Sequence, residues 1–163
     1  MNQTITLSGT KFILRKAAIT DVEVILHQRR KMYLDMGYQD DHALEAMILT
    51  CRTFLPRQIE EGKYQGWLVE RETKDVVSGG GIFLYDGLPT PLDPQTSRPL
   101  IMNVYTEPEY RRKGLARLLV ETMIAWCREQ EFGSVVLHAS DDGRPLYEVL
   151  GFKQTSEMRL RLR

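Results

Sequence analysis

Residues 101–116 constrain the fold more than any other part of the sequence. An apolar run (Ile-Met-Asn-Val-Tyr-Thr) leads through Glu-Pro-Glu-Tyr into Arg111-Arg112-Lys113-Gly114-Leu115-Ala116 and then into a long amphipathic pattern. This order predicts a strand, a turn and a helix. Three consecutive cations at the positive end of a helix dipole each cost about 0.3 to 1 kcal/mol unless a negative charge offsets them. The segment therefore predicts an anion at the turn.

The turn itself indicates which anion it suits. Backbone N–H groups at a helix start bind anions, and Gly114 lacks the Cβ that would keep a phosphate away from the main chain. The sequence contains neither Gly-x-x-x-x-Gly-Lys-Ser/Thr nor Gly-x-Gly-x-x-Gly. A phosphate-bearing ligand other than a nucleoside triphosphate or a dinucleotide is expected.

Two motifs resemble the GCN5-related N-acetyltransferase (GNAT) superfamily. Arg111-x-x-Gly114-x-Ala116 is similar to its acetyl-coenzyme A signature, Arg/Gln-x-x-Gly-x-Gly/Ala. Downstream, Ser-Val-Val-Leu-His-Ala (134–139) and Pro-Leu-Tyr-Glu-Val-Leu-Gly-Phe (145–152) resemble the family's next strand and its short helix. The resemblance is specific over residues 101–163 and rests on element order before them. It implies one α/β domain of the α+β type over residues 1–163, with helices on both faces of a mixed, mainly antiparallel sheet that splays between the fourth and fifth strands.

The resemblance also implies a site for acetyl-CoA. Its pyrophosphate would lie on the amides of residues 112–116, with Arg111, Arg112 or Lys113 adding charge-assisted bonds. The pantetheine arm would follow the strand at residues 104–106, and the Val104 N–H would polarise the thioester carbonyl. Tyr147 would protonate the departing thiolate, the alternative being an ordinary half-buried tyrosine, and Ser140 would bond the pantetheine or the amine. The expected catalytic residues are Tyr147 and Val104, and the expected cofactor-binding residues are Val104, Tyr105, Thr106, Arg111, Arg112, Lys113, Gly114, Leu115, Ala116 and Ser140.

The acceptor side is less defined by the sequence. An ammonium group must lose a proton before it attacks, yet the signature strand carries no Glu, so Asp35, Asp86 and Glu148 are the carboxylates left to consider. His138 on an apolar strand is interpreted as a hydrogen-bonded core residue rather than a base. Residues 27–31 (His-Gln-Arg-Arg-Lys) are interpreted as a solvated helix face, the alternative being a role in the acceptor pocket. That pocket would also involve Met32, Tyr33, Met36 and Tyr38.

Composition excludes several other classes of protein. The chain of 163 residues has 22 Lys and Arg against 22 Asp and Glu, so no net field favours nucleic acid. Cys51 and Cys127 lie in apolar helical patterns and are interpreted as buried thiols, which favours direct transfer over an acyl-enzyme. No metal-ligand spacing, basic leader or membrane-length apolar run is present. We therefore expect no metal, no membrane partner and a cytoplasmic location.

Hydrophobic periodicity predicts the remaining elements. Strands are expected at residues 10–16, 64–70, 76–85, 135–139 and, as an alternating Met/Leu and Arg pattern, 158–163. Helices are expected from a Thr20 cap to Gly37, over 41–59 with Pro56 kinking or ending it, and from the signature to a left-handed Gly133. The three glycines at 79–81 indicate a bulge or a close approach to the backbone. The proline-rich segment 86–99 is expected to be an irregular loop, either a wall of the acceptor site, a subunit contact or plain surface.

Together these features predict transfer of an acetyl group from acetyl-CoA to a primary amine by direct attack in a ternary complex. The acceptor, a small molecule or a peptide amine, is left open, and so is a homodimer formed through the last strand. The alternative function is a non-catalytic CoA-binding sensor on the same fold, for which the absent strand carboxylate is the main support.

Overall fold

A six-stranded sheet whose strands follow one another in chain order organises the fold. The computed structural model describes residues 2–91, 93–160 and 162. Adjacent strands are antiparallel except for the last pair, which is parallel. The strands are β1 (Gln3–Leu7), β2 (Thr10–Lys16), β3 (Tyr64–Glu70), β4 (Val76–Asp86), β5 (Ser97–Thr106) and β6 (Val136–Leu137), and the helices are α1 (Val22–Asp35), α2 (Asp41–Glu60), α3 (Leu115–Glu129) and α4 (Arg144–Val149).

Helices cover both faces of the sheet, as predicted. Along β3, Trp67 and Val69 belong to a core cluster that includes Leu119 of α3, whereas Tyr64 and Leu68 belong to a second cluster formed with α1 and α2. This division follows from the alternation of side chains along a strand. The sheet is therefore buried on both sides in its centre, and α1 and α3 approach β5 from opposite faces.

The N-terminal strand β1 is an element that the sequence analysis missed. It pairs with β2 through a tight turn in which Ser8 and Gly9 have φ angles of 49° and 76°. Two left-handed central residues are the requirement of a type I′ hairpin turn. The signal was present in the sequence as a Ser-Gly pair between two Thr-containing, β-prone runs.

Several predicted helix ends are corrected by the structure. Asp21, not Thr20, occupies the N-cap position of α1. Pro56 does not end α2, which continues to Glu60. The left-handed residue after α3 is Glu131, with a φ of 58°, instead of Gly133. The Phe132 N–H then donates to the Cys127 carbonyl, so the helix ends two residues earlier than the glycine suggested.

The irregular loop in the proline-rich segment is shorter than the predicted range 86–99, because β5 already begins at Ser97 and pairs with the end of β4. Pro99 lies opposite Leu84, whose N–H donates to Lys63 on the other side of β4. The Leu84–Pro99 pair is therefore a non-hydrogen-bonded pair, and the missing proline N–H costs the β4–β5 ladder nothing. The prediction that the prolines exclude a ladder here was wrong.

The C-terminal part of the sheet also differs from prediction. Only Val136 and Leu137 of the expected strand 135–139 pair with β5, and Val136 is exposed at the sheet edge instead of covered on both faces. The predicted strand at 158–163 does not form at its described residues, since Met158, Leu160 and Leu162 are unpaired and more than four-fifths exposed. Arg161 and Arg163 lie outside the described residues. Among the helices that are described, none combines the length and the apolarity needed to cross a bilayer.

Candidate active site at the divergence of two strands

The sheet opens on one side of β5. Only Leu100 and Ile101 pair with β6, so the strand has no described neighbour on that side from Met102 onward. This is the splay predicted between the fourth and fifth strands; the additional β1 makes these the fifth and sixth strands here. The C-terminal half of β5 therefore borders a cleft that leads to the start of α3.

A β-bulge lies in the same half of β5. Gly79 pairs with Tyr105 and Gly81 with Met102, so Gly80 alone faces the two residues Asn103 and Val104. Asn103 takes a left-handed φ of 57°, which Asn tolerates better than most residues. Bulges bend a strand and re-aim its groups. The bulge therefore marks the point at which β5 turns away from β6.

The backbone groups of β5 after the bulge are divided between the two sides. The Glu107 N–H donates to Val77 on β4, whereas the Thr106 carbonyl accepts from the Arg111 Nε on the other side at 2.9 Å. Since alternate residues of an antiparallel strand direct their polar groups to opposite sides, the polar groups of Thr106 lie on the side of β5 that faces away from β4.

The glycine tract of β4 lets side chains approach the backbone behind the bulge. A Cβ at Gly79 would lie 2.3 Å from Gln28 Oε1, and one at Gly81 would lie 2.3 Å from the Tyr64 hydroxyl oxygen. Gly80 faces Met123 of α3 on the opposite side of the sheet. The tract therefore combines both features expected of it, a register shift and a close approach of side chains.

The start of α3 presents a row of free amides. Within the described residues, none of the five N–H groups from Arg112 to Ala116 has an acceptor. Arg112 and Gly114 both adopt left-handed φ angles, 59° and 86°. Successive amides with such backbone angles, at a helix N-terminus, form a concave anion site. A Cβ on Gly114 would meet only Leu7, at 4.0 Å, so the space in front of the turn is open to a phosphate.

The three cationic side chains of the signature differ in their contacts. Arg111 turns back, donating to the Thr106 carbonyl and to the Asp35 carboxylate. Arg112 is exposed, and the Lys113 ammonium lies 4.9 Å from the ring centroid of Tyr110. Arg111 thus fastens α1 to β5, and Arg112 and Lys113 are the cations left to meet a ligand.

The short helix α4 carries the remaining predicted site residues. Tyr147 is half-buried, and its ring packs edge-on against Phe152 with 5.9 Å between the ring centroids. Burial raises the pKa of the Tyr147 phenol above its usual value. Ser140 caps the turn before the helix by accepting the Gly143 N–H at 3.2 Å. The backbone of Gly143 lies directly beside the tyrosine ring, so an added Cβ would be 2.9 Å from Tyr147 Cε2. The phenol remains protonated at neutral pH.

The candidate bases gain no support from their positions. Asp35 is paired with Arg111, Asp86 lies at the far end of β4 beside Lys63, and Glu148 is exposed on α4. His138 is not the core residue predicted, because its side chain is 58% exposed and lies 3.4 Å from Glu157. No carboxylate base is therefore assigned.

The two cysteines and the metal-ligating side chains are the remaining candidates for chemistry. Cys127 is buried, and burial raises the pKa of its thiol to about 11, so it is a poor nucleophile. Cys51 is partly buried in α2. No group of three or more His, Cys, Asp or Glu side chains in the described part of the chain is arranged to hold a metal ion.

The acceptor face contains residues whose role the sequence analysis missed. Gln28 is 4% exposed and Arg29 only partly exposed, so the interpretation of residues 27–31 as a solvated face was wrong for these two. The Asn103 side chain accepts from Arg29 and donates to the Tyr64 hydroxyl. A buried polar cluster thus joins α1 to the bulge.

The fold and the site together are typical of one class of protein: an open mixed sheet in which a helix start with unpaired amides adjoins a bulged strand. The family model described as the acetyltransferase (GNAT) family matches residues 23–152. The chain belongs to this family of acetyltransferases.

Individual relatives agree with this assignment. A GCN5-related N-acetyltransferase from Ralstonia eutropha JMP134 is 31% identical, with a TM-score of 0.86 over 93% of this chain and 98% of that chain. A structure of a predicted acetyltransferase with acetyl-CoA, from Clostridium acetobutylicum, is 24% identical and has a TM-score of 0.86 over 93% and 96% of the two chains. Human N-acetyltransferase 8 is 29% identical over 97 residues, which are 56% of this chain but only 39% of that protein.

Proposed function

We propose that this protein transfers an acetyl group from acetyl-CoA to a primary amine by direct attack in a ternary complex. The observation that carries the proposal is the row of five free amides from Arg112 to Ala116, which adjoins the half-free strand β5. These groups fit a pyrophosphate, because the turn is open and Gly114 offers no Cβ to obstruct it. When bound there, acetyl-CoA would supply an acetyl group activated as a thioester.

The chain's own residues have three tasks in this proposal. The amides of residues 112–116 bind phosphate oxygens, with Arg112 and Lys113 adding charge. The Val104 N–H donates a hydrogen bond to the thioester carbonyl oxygen as negative charge develops there. Loss of such a donor elsewhere costs about 3 kcal/mol of transition-state stabilisation. The extended pantetheine arm lies along residues 104–106, on the side of β5 that faces away from β4.

Tyr147 is the proposed acid. Its phenol keeps its proton at neutral pH, since the ordinary tyrosine pKa is about 10 and burial raises the pKa of Tyr147 further. When the amine forms its C–N bond and the C–S bond breaks, the proton held at Oη goes to the leaving sulfur and the amine proton goes to water. The Tyr147 phenolate then takes a proton from water, which restores the acid. Direct attack is supported further by Cys127, whose raised thiol pKa opposes an acyl-enzyme.

Calorimetric titration with acetyl-CoA, followed by a thiol-release assay over an amine library, tests the proposal. Saturable binding and thiol release with one amine class are expected. The double substitution Arg112→Glu with Gly114→Trp should abolish both. Arg128→Glu reverses a charge at the other end of α3 and is the matched control, which should retain both. Full turnover by the double variant would refute the assignment of the turn.

A further inference from the structure

Arg29 of α1 is a partly buried cation that has no carboxylate partner among the described residues. Its Nη1 donates to Asn103 Oδ1, its Nη2 donates to the Tyr33 hydroxyl at 3.3 Å, and its Nε is buried without an acceptor. Both partners are neutral. A buried charge is normally paired, because removing an ion from water costs several kcal/mol.

The neighbouring charges of α1 do not share this feature. Arg30 pairs with Asp41 at 2.8 Å, Lys31 pairs with Glu107 at 2.9 Å, and Asp35 pairs with Arg111. Arg30 and Lys31, the next two cations of α1, therefore each have a carboxylate partner, supplied by α2 and by the segment that follows β5. Arg29 differs from them in reaching the bulge of β5 instead of a carboxylate.

A second donor beside it is also unsatisfied. Gln28 is 4% exposed, and its Nε2 has no acceptor within the described part of the chain. The same side chain lies against Gly79, which pairs with Tyr105 just beyond the bulge. Unpaired buried polar atoms in a native structure call for a missing partner. Two adjacent residues thus present donors, and one of them a charge, to the same region of β5.

The location of these donors indicates what that partner would be. Asn103, which holds Arg29, directly precedes Val104, and successive Cα atoms are about 3.8 Å apart. The guanidinium therefore lies beside the bulge, on the face of the sheet that α1 and α2 cover. The Nη2 group, whose bond to the neutral Tyr33 hydroxyl is long at 3.3 Å, can instead donate a charge-assisted bond to a carboxylate oxygen.

We propose that Arg29 binds a carboxylate of the acceptor, so that the substrate is an amine bearing a carboxylate near its nitrogen, an amino acid or a close derivative. This inference rests on the proposed acetyl transfer and names its substrate class. The carboxylate replaces the long bond from Arg29 to the Tyr33 hydroxyl and neutralises the buried charge. The Asn103 contact remains and fixes the guanidinium beside the bulge.

The test uses matched acceptors with the purified protein: an amino acid, its carboxamide, its decarboxylated amine and a phosphate-bearing amine. With saturating acetyl-CoA, kcat/KM for the amino acid should exceed that of the carboxamide by about 10- to 100-fold, as expected for a hydrogen-bonded charge. In Arg29→Gln this ratio should fall to about one while the Kd of acetyl-CoA is unchanged. In the control Arg30→Gln the ratio should persist.

A binding measurement separates this inference from the transferase itself. Titration of N-acetyl amino acids and their carboxamides into the CoA-bound protein requires no turnover, and we expect preference for the carboxylate that Arg29→Gln removes. Turnover of neutral amines without carboxylate preference, or a preference for the phosphate-bearing amine, would overturn the carboxylate site and leave the transferase intact. Carboxylate binding that depends on Arg29 without any turnover would support the site and overturn the transferase. Absence of both would overturn both.

Discussion

Replacing Gly114 by Ala separates the two reasons for a glycine at the anion-binding turn. Gly114 has a φ of 86°, and an added Cβ would meet no atom closer than 4.0 Å. The left-handed conformation costs an L-residue about 1 to 2 kcal/mol. Gly62, at the end of α2, has a φ of 71° and its nearest neighbour at 3.9 Å, which makes Gly62→Ala a matched control.

Both variants should lose about 1 to 2 kcal/mol of unfolding free energy in urea, because both bear the same backbone cost. Only Gly114→Ala places a methyl group in front of the free amides. If it displaces a phosphate oxygen from one charge-assisted bond, worth about 1.5 to 3 kcal/mol, the Kd of acetyl-CoA should rise about 10- to 150-fold. The Kd of Gly62→Ala should stay within about twofold of the parent protein.

Calorimetric titration of the three proteins with acetyl-CoA, alongside urea unfolding, measures both quantities. The contrary result would be a Gly114→Ala protein that loses as much unfolding free energy as Gly62→Ala does but has the same Kd for acetyl-CoA as the parent protein. In that case the glycine would serve only the turn, and the amides of residues 112–116 would not be the phosphate site.

Three further predictions concern other parts of the molecule. Tyr147→Phe should lower kcat about 10²- to 10⁴-fold, the usual contribution of a general acid, with the Kd of acetyl-CoA unchanged; an unaltered kcat would remove the tyrosine from the mechanism. Gly81→Ala should lower the free energy of unfolding in urea by about 1 to 3 kcal/mol, because the added Cβ would lie 2.3 Å from the buried Tyr64 hydroxyl oxygen. A decrease of less than about 0.5 kcal/mol would contradict this packing. The hydrogen bond from Arg15 lowers the pKa of Asp21, so this carboxylate stabilises the fold above its unfolded pKa near 4, and that contribution disappears as the pH falls through the lower folded value. Asp21→Asn should therefore reduce Tm at pH 7 and flatten the dependence of Tm on pH below 4, and an unchanged acid profile would argue against the pair.

The local elements could largely be predicted from the sequence, because their signals are short-range. The signature segment predicted a strand, a turn and a helix, and β5, the Gly114 turn and α3 occupy those positions. The antiparallel pair β3 and β4 and both helices α1 and α2 also follow their hydrophobic periods. Each of these features depends on neighbours a few residues apart.

Predictions failed where a long-range partner decides the outcome. Pro99 enters a ladder because it faces Leu84 in a pair that needs no N–H from it. The alternating pattern at residues 158–163 predicts a strand, yet a strand exists only when another strand pairs with it, and the described residues there have none. Hydrophobic periodicity indicates which face of a strand a residue would occupy, but it does not indicate whether a second strand is present to pair with it.

The sequence by itself determined the family resemblance and the strand, turn and helix of the signature segment, because both depend on contiguous residues whose backbone chemistry is local. The tertiary structure decided which residues that are distant in the sequence come into contact. It selected Asn103 and Val104 as the bulge by pairing them against the single residue Gly80. It also brought Arg29 from a helix 74 residues away to that bulge, where no described carboxylate pairs with it. The physical reason is that the cost of a buried charge depends on what surrounds it in space, and the sequence order of α1 contains no information about β5.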